Sequence, residues 1–306
     1  MSARPVDPFA PGATGYVDDL VEVRALGRLR PRRTLGMVRT EHFDVTHVDS
    51  RVRVDHRIPP EALHGGLAGV LAAELFGPGW LRGPELFARI LTGIVLTSAA
   101  DPMTGWELFY RNTLDRVEAR ISGRTPTAVD TEVTSLDAHC SIAGYAPVYG
   151  HAEELLAPGS VLELGSCFGF LSLRLAARGR AVTALDVSPG TVRLLGRMAD
   201  RLGTPIRTIT ADAAQVPAPP RTADTVLALH LLEHLDAEHG QRVLREAVRL
   251  AGRRVVVAVP LEDEPEETWG HVRTVTLDDL TAWGRELGLP FDVHEFHGGW
   301  LTIDTA

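Results

Sequence analysis

Uninterrupted apolar runs recur through the second half of the chain: VLEL (161–164), AVTALDV (181–187), IRTITAD (206–212), DTVLALHL (224–231) and RVVVAVP (254–260). Helix-length spacers separate them, and continuous rather than alternating apolar character is what strands buried on both faces of a parallel sheet require. The spacer after the second run predicts a helix capped by Ser188, with Pro189 in its first turn, Val192, Leu195, Met198 and Leu202 on its buried face, and a stop at Gly203. Asp236 reads as another N-cap, and Thr276 as a third, with Asp279 three positions on. Near the end, FDVHEF and WLTID flank Gly298-Gly299, a two-residue linkage suited to a hairpin with positive φ. The pattern predicts an α/β class: a Rossmann-like, mostly parallel sheet finishing in an antiparallel hairpin.

The first part of the chain reads differently. Alternation at residues 37–40, 43–46 and 52–54 predicts short strands. Leu63, Leu67, Val70, Leu71 and Leu75 then follow helical spacing up to Gly77-Pro78-Gly79, with further helices from Pro84 towards Thr97 and from Trp106 to Ile121. Ser122-Gly123-Arg124-Thr125-Pro126 opens a linker, so the predicted division is 1–135, a smaller α+β substrate or cap domain, and 136–306, a ligand-binding domain.

Composition narrows the chemistry. With 306 residues, 44% hydrophobic and 23% charged, the chain is a globular protein and not a disordered one. All 31 basic residues are Arg, which removes the Schiff-base and P-loop chemistries that need a lysine. The net charge of −9 repels nucleic acid and anionic lipid, so neither is an expected partner. Cys140 and Cys167 are too few for a disulfide framework, the N-terminus lacks a signal-like apolar stretch, and no segment reaches membrane-span length, so a cytoplasmic location is expected.

The first apolar run leads into Glu163-Leu164-Gly165-Ser166-Cys167-Phe168-Gly169. A nicotinamide-binding loop reads G-x-G-x-x-G, whereas here Cys167 holds the middle position and the acid lies two residues before the first glycine. A carboxylate there suits a ligand with a cationic amino acid tail, which points to S-adenosylmethionine. Asp186 ends the second run, where a carboxylate accepts ribose hydroxyls, and Asp212 ends the third, where it accepts from an adenine amine. The predicted cofactor-binding set is Glu163, Gly165, Ser166, Cys167, Gly169, Asp186, Val187, Asp212, Ala213 and His230.

These residues resemble the class I S-adenosylmethionine-dependent methyltransferases over about residues 138–306, including the segment His230-Leu231-Leu232-Glu233-His234. LTGIVLTSAADP (91–102), ELGSCFGF (163–170), HLLEHLD (230–236), VAVPLEDEP (257–265), GHVRT (270–274) and HGGWLTID (297–304) look more particularly like the mycofactocin oligosaccharide methyltransferases of actinobacteria. That resemblance implies methyl transfer to a glucose hydroxyl of a β-1,4-glucan on a peptide-derived redox cofactor. The alternatives are O-methylation of another small molecule in secondary metabolism and a noncatalytic dinucleotide-binding module.

A hydroxyl acceptor needs a base, and without lysine the candidates are His271, His230 and His234. His271 is expected to serve as base, with His230 as its orienting partner. His230-x-x-Glu233-His234 also matches an inverted zinc-peptidase pattern, but that chemistry needs both histidines on one helical face, whereas His230 ends an apolar strand run. No metal ligands are assigned; Glu262 and Asp263, in the acidic run 262–267, are reserved as ligands should chelation stop turnover. Cys167 reads as a loop residue, not a nucleophile. Trp269 and Trp300 are candidates for stacking on a sugar ring, against a default of core packing.

Overall fold

The apolar runs pair as their composition requires. In the computed structural model, which describes residues 4–12, 15–27, 32–124 and 141–306, the second half carries β6 (Val161–Leu164), β7 (Val182–Asp186), β8 (Arg207–Thr210), β9 (Ala223–Leu229), β10 (Ala251–Val259), β11 (Phe291–Glu295) and β12 (Gly299–Asp304). They form one sheet in the order β11-β12-β10-β9-β6-β7-β8, parallel from β8 to β10 and antiparallel through β12 and β11. Strand order reverses at β6, so the carboxyl ends of β6, β7 and β9 surround the crevice where open α/β sheets bind ligands.

Successive residues of each central strand enter separate cores. Leu162, Leu164, Val226, Ala228, Val255 and Val257 join one apolar cluster, while Val161, Leu227, Leu229, Val256 and Ala258 join another. The two-unit period of the strand explains why these runs are apolar throughout. The helix Pro189–Leu202 has Ser188 as its cap and stops at Gly203, Asp236 caps Ala237–Leu250, and Thr276 forms a reciprocal capping box with Asp279.

The hairpin differs from its expected form. Gly299 pairs with Glu295 inside the ladder, and the linkage is Phe296-His297-Gly298, with positive φ at His297 and Gly298. For Trp300 the default of core packing holds: it is fully buried in the sheet and donates its indole N–H to Phe296 O at 2.7 Å, which leaves no face for a sugar.

The chain separates into two compact units, Met1–Ala143 and Gly144–Ala306. The expected boundary at 135/136 falls in 125–140, outside the described residues, as does Cys140. The first unit holds a five-stranded sheet ordered β1 (Tyr16–Val17), β2 (Val21–Ala25), β5 (Arg51–His56), β4 (Phe43–Val48), β3 (Val38–Arg39). The helical stretch after Pro59 is interrupted. A 3₁₀ turn at Pro60–Ala62 precedes a short helix at Leu67–Leu71 that widens into a π turn at Ala72–Phe76, because Gly65-Gly66 separates the segments. Helices Pro84–Thr97 and Pro102–Ile121 follow as expected. Among the described residues no single helix is long and apolar enough to cross a membrane.

Candidate active site

The loop after β6 is held in a shape that two of its positions restrict to glycine. Gly165 and Gly169 both have φ of 70°; a Cβ at Gly165 would lie 2.8 Å from Leu231 Cδ1, and one at Gly169 only 2.5 Å from Leu195 Cδ1. Cys167 between them is also left-handed, at φ 48°, and its backbone N–H donates to Asp186 Oδ2 at 2.9 Å. Ser166 N donates to Leu185 O at 2.8 Å, and Asp186 Oδ1 accepts from Ser188 N at 2.8 Å. The loop, the end of β7 and the cap of the next helix are thus one hydrogen-bonded unit. Ser166 Oγ is buried there without a hydrogen-bond partner.

Glu163 lies beneath this loop, 7% exposed, and accepts from Ser172 Oγ of the following helix, Phe170–Ala177. Burial pushes its carboxyl up to about 7, against the Ser172 hydrogen bonds that favour the ionised form, and Asp186 adds to the rise. Asp212 lies two residues past β8; its Oδ1 accepts from Ala214 N and sits 2.8 Å from His239 Nε2, which hold its carboxyl below the usual range. Val187 is exposed and Ala213 buried beside the second and third acids. Cys167 has an exposed surface, yet the enclosing loop desolvates its thiol and Asp186 repels the thiolate, which pushes it up to about 12. That agrees with a loop residue and opposes a nucleophile.

The three histidines meet at the carboxyl edge of β9 and β10. His230 directly follows β9 with φ of 50°, its N–H still donating to Ala258 O in the ladder. A non-glycine residue in this conformation is costly and marks a constrained position. Its Nδ1 is 3.5 Å from Glu233 Oε1, its ring edge faces Tyr145 at 5.6 Å between centroids, and its Nε2 is buried without a hydrogen bond. Glu233 and His234 occupy a 3₁₀ turn, Leu232–His234, and not the helix that the zinc-peptidase pattern needs.

The loop after β10 folds back over this turn. Val272 N donates to Glu233 O at 2.9 Å and Arg273 Nε to Leu232 O at 3.1 Å, with the Arg273 guanidinium 5.2 Å from the Trp283 ring centre. His271 is thereby placed with its ring centroid 4.8 Å from that of His234. His271 Nδ1 lies 2.8 Å from Glu262 Oε2, and His234 Nδ1 lies 3.2 Å from Gly270 O. Partial desolvation of its ring lowers the pKa of His234, which keeps an exposed surface.

Residues 161–252 match the family model described as a methyltransferase domain. This stretch is similar to methyltransferase domains. An uncharacterised methyltransferase of Geobacillus sp. (strain WCH70) is 29% identical over 122 residues, spanning 37% of this chain and 56% of that protein. The chain therefore matches little more than half the length of this curated relative. Among solved structures, a SAM-dependent methyltransferase from Aquifex aeolicus superposes with TM-score 0.42 at 15% identity, covering 51% of this chain and 87% of that one. Magnesium protoporphyrin IX methyltransferase from Synechocystis PCC 6803, with bound SAH, gives 0.44 at 18%, covering 62% and 93%.

The residues of this stretch fit S-adenosylmethionine. A buried carboxyl with a single hydroxyl partner (Glu163), a buried hydroxyl with none (Ser166), and carboxylates at the ends of β7 and β8 are complementary to an ammonium, a carboxylate, a ribose diol and an amine. Sequence reasoning missed Glu233 and Ser172. Glu233 is an acid in an otherwise apolar turn, LLEHL, and that contrast is the signal of a buried carboxyl with a task.

Proposed function

We propose that the protein is an S-adenosylmethionine-dependent O-methyltransferase acting on a sugar hydroxyl, with a glucose of the mycofactocin β-1,4-glucan as the acceptor that the sequence resemblance implies. The observation that carries this reading is the placement of Glu163, Asp186 and Asp212 at the ends of β6, β7 and β8 around the Gly165–Gly169 loop, with three histidines beside it. Glu163 and the loop would hold the amino acid portion of the cofactor, Asp186 and Val187 the ribose, and Asp212 and Ala213 the adenine. When bound, the cofactor supplies an electrophilic methyl on a sulfonium.

A sugar hydroxyl is a weak nucleophile near neutral pH, so the chain must orient it and accept its proton. His230 is assigned that role in place of His271. It stands directly after β9, its neighbour Leu231 packs against Gly165, and its Nε2 has no partner while Nδ1 faces Glu233. His230 Nε2 takes the hydroxyl proton as the oxygen–methyl bond forms and the sulfur–methyl bond breaks. His234 and His271, with Nδ1 of each already committed to Gly270 O and Glu262, flank the acceptor side. Acceptor recognition is assigned to the cap domain, residues 1–135.

Calorimetric titration with S-adenosylhomocysteine tests the cofactor half of this reading. One binding event per chain is expected; absence of heat with folded protein overturns it.

A further inference from the structure

Glu233 is 1% exposed, and neither carboxylate oxygen has a hydrogen-bond partner. A carboxyl buried in this state costs several kcal/mol by general estimates unless a cation lies beside it. His230 Nδ1 lies 3.5 Å from Glu233 Oε1, outside hydrogen-bonding geometry, and the Arg273 guanidinium, which acts on this carboxyl electrostatically, makes no hydrogen bond to it. One donor atom from each of Glu233, His234 and His271 lies within 4.8 Å of the others.

The two rings are prepared alike. His234 Nδ1 is engaged by the Gly270 carbonyl and His271 Nδ1 by the Glu262 carboxylate, which fixes each tautomer with the lone pair on Nε2. Metal-ligating histidines have this arrangement: the far nitrogen donates to a carbonyl or carboxylate, which orients the ring and raises its basicity. Another three-donor group, Glu41, His42 and Glu74 in the first unit, has no unpartnered buried carboxylate. There the Glu74 carboxylate already accepts from the His42 backbone N–H and contacts its Nδ1, so no ligand is called for.

We propose that Glu233, His234 and His271 form a binding site for one divalent transition cation, with Glu262 holding His271 in place. Two imidazoles and one carboxylate suit Zn²⁺, Mn²⁺ or Fe²⁺ and leave coordination positions open. His234 is exposed, which gives the ion an entry path. Resting on the reading above, the open positions take adjacent hydroxyls of the sugar. A cation held there would orient the acceptor and make its hydroxyl more acidic, with His230 still the group that takes the proton.

The test is calorimetric titration of chelator-treated full-length protein with Zn²⁺, Mn²⁺ and Mg²⁺, with thermal melting in parallel. Zn²⁺ and Mn²⁺ are expected to bind once per chain and raise the melting temperature, and Mg²⁺, which prefers an all-oxygen shell, to bind far more weakly. Glu233→Gln and His271→Ala are each expected to weaken binding by about tenfold or more and to abolish the melting shift. Glu262→Gln should weaken binding less, and Asp200→Asn, at an exposed acid on the helix Pro189–Leu202, should leave it unchanged. If Glu233→Gln does not fold, exposed His234→Ala gives the same comparison. No saturable binding of Zn²⁺ or Mn²⁺, or equal binding in the Glu233 and His271 variants, overturns the proposal. S-adenosylhomocysteine binding in the same variants separates the outcomes: the metal site fails while the cofactor heat persists, and the cofactor reading fails while metal still binds.

Discussion

The backbone N–H of Cys167 donates to Asp186 Oδ2 at 2.9 Å, so the glycine loop after β6 is tied to the acid that ends β7. Because Asp186 Oδ1 also accepts from Ser188 N, one carboxylate positions both the loop and the next helix cap and still presents acceptor lone pairs to a ligand.

Asp186→Ala is therefore expected to do more than remove one ligand contact. Loss of a charge-assisted acceptor costs roughly 1.5–3 kcal/mol, or about 10- to 150-fold in S-adenosylhomocysteine affinity. Cys167 loses its tether as well, so faster amide exchange of the loop should accompany the weaker calorimetric binding. Unchanged affinity would remove Asp186 from the cofactor site.

Glu163 makes stability depend on pH in a definite direction. Its carboxyl is raised from 4.5 to about 7 by burial, so between these values the folded chain holds a proton that the unfolded chain has released. Its stabilising effect is complete below about 4.5 and is lost as pH rises through about 7, a contribution on the order of 3 kcal/mol. Glu163→Gln should flatten that part of the stability profile and melt higher than the parent protein at pH 8. Denaturant titrations at several pH values would measure it; parallel profiles for parent and variant would contradict the assignment.

The histidines separate by kinetics. His230→Ala is expected to lower turnover by about 10²- to 10⁴-fold, the usual worth of a general base, and to change S-adenosylhomocysteine affinity far less. His271→Ala should act chiefly on acceptor KM and on metal binding. A turnover loss confined to the His271 variant would return the role of base to His271.

Much of this was legible in the sequence because the parallel sheet imposes a strong signal. β6 matches VLEL residue for residue, and the caps at Ser188, Asp236 and Thr276 are local hydrogen bonds that sequence spacing specifies. β1 and β2 went unread. VEVRA alternates with Val21 and Val23 inward, yet five residues followed by Leu26-Gly27 give too little pattern to mark an element. The continuous helix expected over 63–75 failed at Gly65-Gly66, whose weak helix preference outweighed the apolar spacing. For Trp300 the sequence left sugar stacking open beside the default of core packing, and pairing with Ala258 places it inside the sheet. The grouping of Glu233 and His234 with His271 depends on a loop folding back from beyond β10, and spacing along the chain carries no record of that.

The acceptor is the centre of the functional account. Purified protein should be incubated with isotopically labelled S-adenosylmethionine and β-1,4-glucan oligosaccharides, free glucose and phenols, and the products read by mass spectrometry. The expected result is a single methyl added to the β-1,4-glucan oligosaccharides, none on phenols, and loss of the product in Asp186→Ala and His230→Ala. Label confined to phenols, or no labelled product from any acceptor by protein that binds S-adenosylhomocysteine, would contradict it.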